Sequence, residues 1–332
     1  MPFKIILQQG GFDLLRDDVS MLAHRDDTPA ITLGIGAPNL EMVRGNFRID
    51  DLVEMRLALD CFAASDGAIR LWNAARPDVV VTLKLAQRAQ QSALELRCSD
   101  PAFNRLWIDM QCATSEAFWG GGEQMSYLRL NARRFPFWTS EPGVGRDKST
   151  ALTQTMDANG LAGGDYWTTN YPQPTWLSSA RYAVHLETAA YSVLDLTEKG
   201  RVGIECWSAN VDLELFEAPS LPNLVTKLSD RFGRQPPLPE WAISGAIVGL
   251  KDGADTFDRF ETIAASGAAI TGLWCEDWVG IRQTSFGKRL FWDWKWNATR
   301  YSDLPARIAA LAERGIRFLG YVNPYLAVDG AL

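Results

Sequence analysis

The chain has 332 residues, of which 47% are hydrophobic and 22% charged. That is apolar matter for more than one core, and it excludes global disorder, collagen and a coiled-coil rod. Thirty-three Lys and Arg against 40 Asp and Glu leave a net charge of -7, so neither a nucleic-acid partner nor an anionic membrane surface is expected.

Residues 1 to about 219 read as short strands. The runs 3–7, 79–86, 93–98, 182–187, 203–207 and 212–216 are rich in β-branched or aromatic residues. Asp66-Gly67 and Asn159-Gly160 are turn signals between such runs. Many strands without helices argue a β-sandwich. Leu221, Leu224, Leu228 and Phe232 then predict a helix, opened by Ser220 and stopped by Gly233. The proline-rich stretch 235–239 marks a boundary between a domain over 1–235 and a second over 236–332.

Beyond the boundary the grammar alternates. The segments 243–250, 270–274 and 316–322 predict apolar strands, and 256–265 and 304–314 predict helices. Such βα units build a parallel sheet, either doubly wound or a (β/α)8 barrel. Three strands do not close a barrel.

The apolar runs, such as 242–250, are far below the roughly 20 residues of a membrane-crossing helix, and residues 1–11 lack a secretory signal pattern. Cys61, Cys98, Cys112, Cys206 and Cys275 are scattered without a CxxC pair, so the expectation is reduced thiols in the cytoplasm and no metal site. His24 and His185 are the chain's two histidines; they are too little material for a histidine metal site or a Ser-His-Asp triad, and His185 reads as a core residue of its strand. No cofactor is called for: Gly120-Gly121-Gly122 lacks the Lys-Ser/Thr of a phosphate loop and the strand-to-helix setting of a dinucleotide fingerprint.

Ligands of parallel βα folds meet the C-terminal ends of the strands. Lys251 and Asp252 follow the first strand, Glu276 and Asp277 the second, Asn323 the third. A long loop from Val279 to about Asp303 holds Arg282, Lys288, Arg289, Trp292, Trp294 and Trp296. A long loop on a functional rim points to binding. Thirteen Trp are present, most of them beyond residue 165, which fits sugar contact or an aromatic core. Arg289 and Trp292, three apart, offer donors only, suited to a cluster of anionic oxygens. The plainer alternatives are an ion pair of Arg289 with Asp293 or Glu276, loop packing for Trp292, and a structural pair for Lys251 and Glu276.

The stretches 120–127, 134–148, 163–179 and 273–296 resemble the front part of sulfoquinovosidases of glycoside hydrolase family 31. Most specific is Trp274-Cys275-Glu276-Asp277-Trp278 followed by Gly287-Lys288-Arg289-Leu290-Phe291-Trp292. The resemblance implies an N-terminal β-sandwich followed by the first part of a (β/α)8 TIM barrel, with about three βα units present. It implies retaining hydrolysis of α-sulfoquinovosides such as sulfoquinovosyl glycerol by two aspartates. It implies that Arg289 and Trp292 hold the sulfonate of a small-molecule sugar substrate, and that Lys251 and Glu276 touch its hydroxyls. Alternatives are another family 31 α-glucosidase or α-xylosidase, and a non-catalytic sugar-binding protein. The nucleophile of the family follows the fourth barrel strand, and Asp329 lacks its sequence context. Both catalytic aspartates and a sulfonate-binding Tyr are therefore expected outside this chain, which alone should be inactive and poorly soluble. Assembly into a homo-oligomer stays open.

Overall fold

The computed structural model describes residues 3–43, 45–284, 287–323 and 326–330. The chain divides into two compact units, one up to Arg234 and one from Gln235.

The first unit is a β-sandwich. One antiparallel sheet runs in the order Cys61–Ser65, Ala68–Asn73, Arg76–Gln87, Ser92–Cys98, Val211–Glu217, Tyr182–Glu187, Pro172–Ser178, Phe118–Gly122. The other runs Arg134–Phe137, Ser192–Asp195, Arg201–Cys206, Arg105–Gln111, Ile31–Val43, Asn46–Ala58. A meander of Phe3–Gln8, Gly11–Arg16 and Val19–Arg25 stands as a third sheet. Alternation decides which residues meet between the layers. Leu106, Ile108 and Met110 from one sheet join Val81, Leu83, Leu94 and Leu96 from the other in a single buried cluster.

Asp66 and Gly67, at φ 51° and 73°, form the two-residue turn joining Cys61–Ser65 to Ala68–Asn73. Both central residues in the left-handed region match the twist of the flanking strands. Asn159-Gly160 does something else. It ends a helix, α1 (Ala151–Ala158), whose first turn is capped by the Thr150 side chain accepting from the Thr153 amide. The expectation of a helix-free region is corrected here. α1 buries Thr153 rather than an apolar stripe, so its sequence carries little of the periodicity by which helices are found.

The predicted helix over 221–232 is present as α2 (Leu221–Phe232), with Ser220 accepting from the Asn223 amide. Leu224 and Leu228 bury against Ala183 and Phe216. Phe232 stays partly exposed, its ring centre 4.8 Å from that of His185 in an edge-to-face arrangement. His185 itself is buried in its strand, 2.8 Å from the Thr175 hydroxyl.

The second unit holds a parallel sheet in the order Ala246–Leu250, Ile270–Cys275, Arg317–Gly320. Helices α3 (Asp255–Ala264) and α4 (Leu304–Glu313) join the successive strands. Phe257, Phe260, Leu304 and Leu311 of these helices bury with Leu250, Leu273 and Cys275 of the strands. Two strand expectations are corrected. The first strand begins at Ala246 rather than Ile243, because residues 240–242 form a 3-10 turn and the amides of Ile243 and Ser244 bond back to the Glu240 carbonyl. The third strand is Arg317–Gly320 rather than 316–322. The long loop is also not featureless: Ile281–Thr284 and Gly287–Leu290 pair as an antiparallel hairpin.

Candidate substrate-binding site at the strand ends

Lys251 directly follows the first parallel strand, Glu276 the second and Tyr321 the third. These ends, with the hairpin and the segment after it, enclose a cavity of about 510 Å³. Lys251, Glu276, Arg289 and Trp292, the four residues singled out from the sequence, all line it. Lys288 and Tyr321 line it as well. Tyr321 escaped the sequence reading because the third strand was taken to run through it.

A buried carboxylate fixes the floor. Asp277 is fully buried and accepts from Arg300 at 2.6 and 2.7 Å, from the Asp252 amide at 3.1 Å and from the Tyr301 hydroxyl. Tyr301 in turn accepts from the Gly253 amide at 3.1 Å. The end of the second strand is thereby tied to the turn after the first. Burial alone would raise the Asp277 carboxyl; the Tyr301 hydroxyl, the Asp252 amide and Arg300 outweigh it and hold the group below the usual carboxylate range.

The tryptophans sort by what their N–H groups do. Trp278 donates to the Tyr321 carbonyl at 2.8 Å, Trp294 to that of Asn323 at 2.7 Å, and Trp296 to that of Tyr301 at 2.6 Å. These three are braces for irregular backbone. Trp292 differs. Its ring lies 5.3 Å from that of Tyr321 and its carbonyl accepts from the Ala327 amide at 2.7 Å. Its indole N–H has no partner among the described residues.

Arg289 sits on the second hairpin strand opposite Arg282. It donates to the Lys288 carbonyl at 2.9 Å and makes no ion pair among the described residues. The alternative pairing of Arg289 with Asp293 or Glu276 is therefore not formed. Arg282, by contrast, pairs with Asp329 at 2.8 Å. Lys251 and Glu276 pair with each other at 3.2 Å across the mouth, and both stay partly exposed. The cavity is thus lined by three cations and three carboxylates, of which Glu276 pairs with Lys251 and Asp277 with Arg300, while the Arg289 guanidinium has no ion pair among the described residues; the rings of Trp292 and Tyr321 add an aromatic wall. Such a set favours an anionic head group attached to a body of hydroxyls.

A scan of protein families finds no match for the chain. The chain is 52% identical to a sulfoquinovosidase of Agrobacterium fabrum over 322 residues, covering 97% of this chain and 48% of that protein. It is 36% identical to a sulfoquinovosidase of Escherichia coli over 333 residues, covering 99% of this chain and 49% of that protein. A solved family 31 sulfoquinovosidase from E. rectale, in complex with an aza-sugar inhibitor, superposes with a TM-score of 0.88 at 37% identity over 99% of this chain and 49% of that one.

Over nearly its whole length the chain is thus similar to the corresponding part of sulfoquinovosidases, one of them of glycoside hydrolase family 31.

It spans about half the length of the curated relatives it matches. A family 31 dextranase of Flavobacterium johnsoniae shares the fold at a TM-score of 0.52 and 10% identity. The stretch 120–127, through which the resemblance to family 31 also ran, lies in the sandwich. A Cβ at Gly122 would stand 2.3 Å from the Tyr171 carbonyl oxygen, and the residue has φ 80°, so glycine is required there by packing.

Proposed function

We propose that the whole protein is a retaining α-glycosidase that hydrolyses sulfoquinovosides, and that the strand-end cavity holds the sulfonated sugar. Arg289 and Trp292 hold the sulfonate; Lys251 and Glu276 hydrogen-bond the ring hydroxyls. The observation that carries this reading is that the unpaired Arg289 guanidinium and the open Trp292 N–H line the same cavity.

The selectivity is physical. A sulfonate is ionised at any biological pH and accepts through three oxygens. The 6-hydroxyl of a plain glucoside cannot satisfy a guanidinium and an indole N–H together. Each donor left unpaired on desolvation costs about 1–3 kcal/mol, more when charged, so two of them reject the glucoside by orders of magnitude.

The retaining reaction uses two carboxylates about 5–5.5 Å apart, one attacking the anomeric carbon while the other protonates the departing aglycone oxygen. We assign neither to a described residue of this chain. Asp277 is fully engaged below the floor, Glu276 faces Lys251, and Asp329 faces Arg282.

The parallel sheet is read as part of a (β/α)8 barrel in a domain over 236–332. Supporting this, both helices pack on one face of the sheet, with Val248, Leu250, Leu273 and Cys275, while Ile247 and Trp274 on the other face remain exposed. A doubly wound sheet carries helices on both faces, whereas barrel strands turn one face to helices and the other to the barrel interior. Five free cysteines support a reducing, cytoplasmic setting.

The test compares Arg289→Met and Trp292→Phe in the whole enzyme. We expect kcat/KM on an α-sulfoquinovoside to fall about 10- to 100-fold for Arg289→Met, the weight of a charged hydrogen bond, with turnover of the matching α-glucoside unchanged or raised. Equal losses on both substrates would rule out the sulfonate pocket and leave an ordinary family 31 glucosidase or xylosidase.

A further inference from the structure

Arg289 and Trp292 stand on two different pieces of chain, and one short turn touches both. Arg289 belongs to the hairpin of Ile281–Thr284 and Gly287–Leu290, and Trp292 to the segment that leaves it. The turn over 327–330 comes after the third parallel strand and is closed by the Gly330 amide donating to the Ala327 carbonyl at 3.0 Å. The buried Ala327 donates its own amide to the Trp292 carbonyl at 2.7 Å. Gly330 lies against the next residue of that segment: a Cβ there would stand 2.7 Å from Asp293 Oδ1. Asp329 then reaches the hairpin, accepting from Arg282 Nη1 at 2.8 Å.

The charges make that last bond informative. Residues directly opposite in an antiparallel pair put their side chains on the same side, and like charges so placed repel. Arg282 and Arg289 are such a pair. Asp329 answers Arg282, whereas Arg289 makes no ion pair among the described residues. The carboxylate therefore eases the repulsion within the hairpin and leaves the cavity-lining guanidinium open to an anion. The Arg282 guanidinium also lies 5.4 Å from the centre of the Phe291 ring, so the cation that Asp329 holds is packed against the residue before Trp292.

Stability does not account for the pair. Its side chains are 40% and 72% exposed, where an ion pair contributes little to folding. A binding site is more demanding, because its groups must be held to within about 0.5 Å. We propose that Asp329 is a positioning residue of the anion pocket: through Arg282 it holds the hairpin so that Arg289 stays on the cavity that Trp292 lines. The inference rests on the reading of that cavity as the sulfonate site.

The test uses the whole enzyme. Asp329→Asn should raise KM for an α-sulfoquinovoside about fivefold, the weight of a surface ion pair. The kcat should hold, because the sulfonate is gripped alike in the ground and transition states. Turnover of the matching α-glucoside and the Tm should be unchanged. Asp329→Glu, which keeps the charge, should restore KM. Arg282→Gln added to Asp329→Asn should not deepen the loss, since the two residues act as one tie. If Asp329 were only a negative charge near the pocket, Asp329→Asn would lower KM for the anionic substrate, and that result overturns the proposal. Equal losses on both substrates, or no rescue by Asp329→Glu, overturn it as well. Arg289→Met separates this inference from the reading beneath it. If Arg289→Met costs the sulfoquinovoside alone while Asp329→Asn is silent, the positioning role falls and the sulfonate pocket stands. If Arg289→Met costs both substrates equally, the pocket falls and the positioning role with it.

Discussion

The two units use apolar strands differently. In the sandwich, Leu106, Ile108 and Met110 of one sheet meet Leu94 and Leu96 of the other, and alternation leaves Asp109 and Gln111 outside. In the second unit the helices cover one face of the parallel sheet. The opposite face carries Ile247 at 40% exposure and Trp274 at 38%. The sandwich core is a large apolar cluster, with buried ion pairs of Arg105 with Asp51 and of Glu214 with Arg88 and Arg231 beside it. The second unit depends more on a few polar ties, above all the buried Asp277 network at its strand ends. Stability should therefore respond to different chemistry in the two units.

The sharpest way to break that contrast is Asp277→Ala. The loss leaves the partly exposed Arg300 guanidinium with Asp252 at 3.9 Å as its remaining carboxylate and strands the Tyr301 hydroxyl and the Asp252 amide, each unsatisfied group costing about 1–3 kcal/mol. Hydrogen exchange should show protection lost over residues 246–320 and kept in the strands of the sandwich. Uniform loss through both units would mean that the division into a packed unit and a tied unit is wrong.

Acid should separate the units next. His24 is fully buried, its ring stacked 5.1 Å from Phe12 and its Nε2 2.8 Å from the Leu59 carbonyl. Burial pushes the imidazole down to about 4, with Arg25 adding to it and the Leu59 carbonyl opposing it. Between about pH 6.5 and 4 the unfolded chain binds a proton that the folded one refuses. Stability of the sandwich is full above that window and falls as the pH drops through it, by at most about 1.4 kcal/mol per pH unit. Burial lowers His185 too, with the same sign. Asp277 behaves differently. Its folded value is depressed, so its contribution persists down to about pH 4 and is lost only below, as the pH passes the folded value. Melts at pH 7, 5 and 4 should show the sandwich weakening first, and His24→Gln should flatten that slope. A second unit that weakens first would reverse the assignment.

What the residues revealed in advance follows from how local each signal is. The cap at Ser220 and the stop at Gly233 are local chemistry, and α2 lies between them. Asp66-Gly67 is equally local. Asn159-Gly160 misled because the same dipeptide serves a hairpin or a helix end, and only the residues before it decide. The hairpin over 281–290 was invisible: Arg282, Gln283, Lys288 and Arg289 lack apolar alternation, and its pairing faces a cavity rather than a core. Lys251 and Glu276 were found because strand-end position is a topological rule, Arg289 and Trp292 because they lie three apart in a long loop on that rim and offer donors only, and the roles of all four came from the resemblance to sulfoquinovosidases. The fates of Trp278, Trp294 and Trp296 were not legible, since a bond to a distant carbonyl leaves no mark in the sequence.

The smallest effect on stability belongs to the Lys251–Glu276 pair, and it is informative for that reason. The two groups are 57% and 35% exposed at 3.2 Å, where solvent screens the attraction and ordering two long side chains offsets it. Such a pair contributes at most about 1 kcal/mol. Lys251→Met should therefore leave the Tm of the second unit nearly unchanged. If the pair serves only the fold, nothing else should change. If it is held at the mouth to meet sugar hydroxyls, Lys251→Met should raise KM for a sulfoquinovoside about tenfold in the whole enzyme, the cost of one charged hydrogen bond, without changing the preference for sulfonate over hydroxyl that we propose for Arg289 and Trp292. A shift in that preference would place Lys251 in the anion pocket, and a large drop in Tm would make the pair structural.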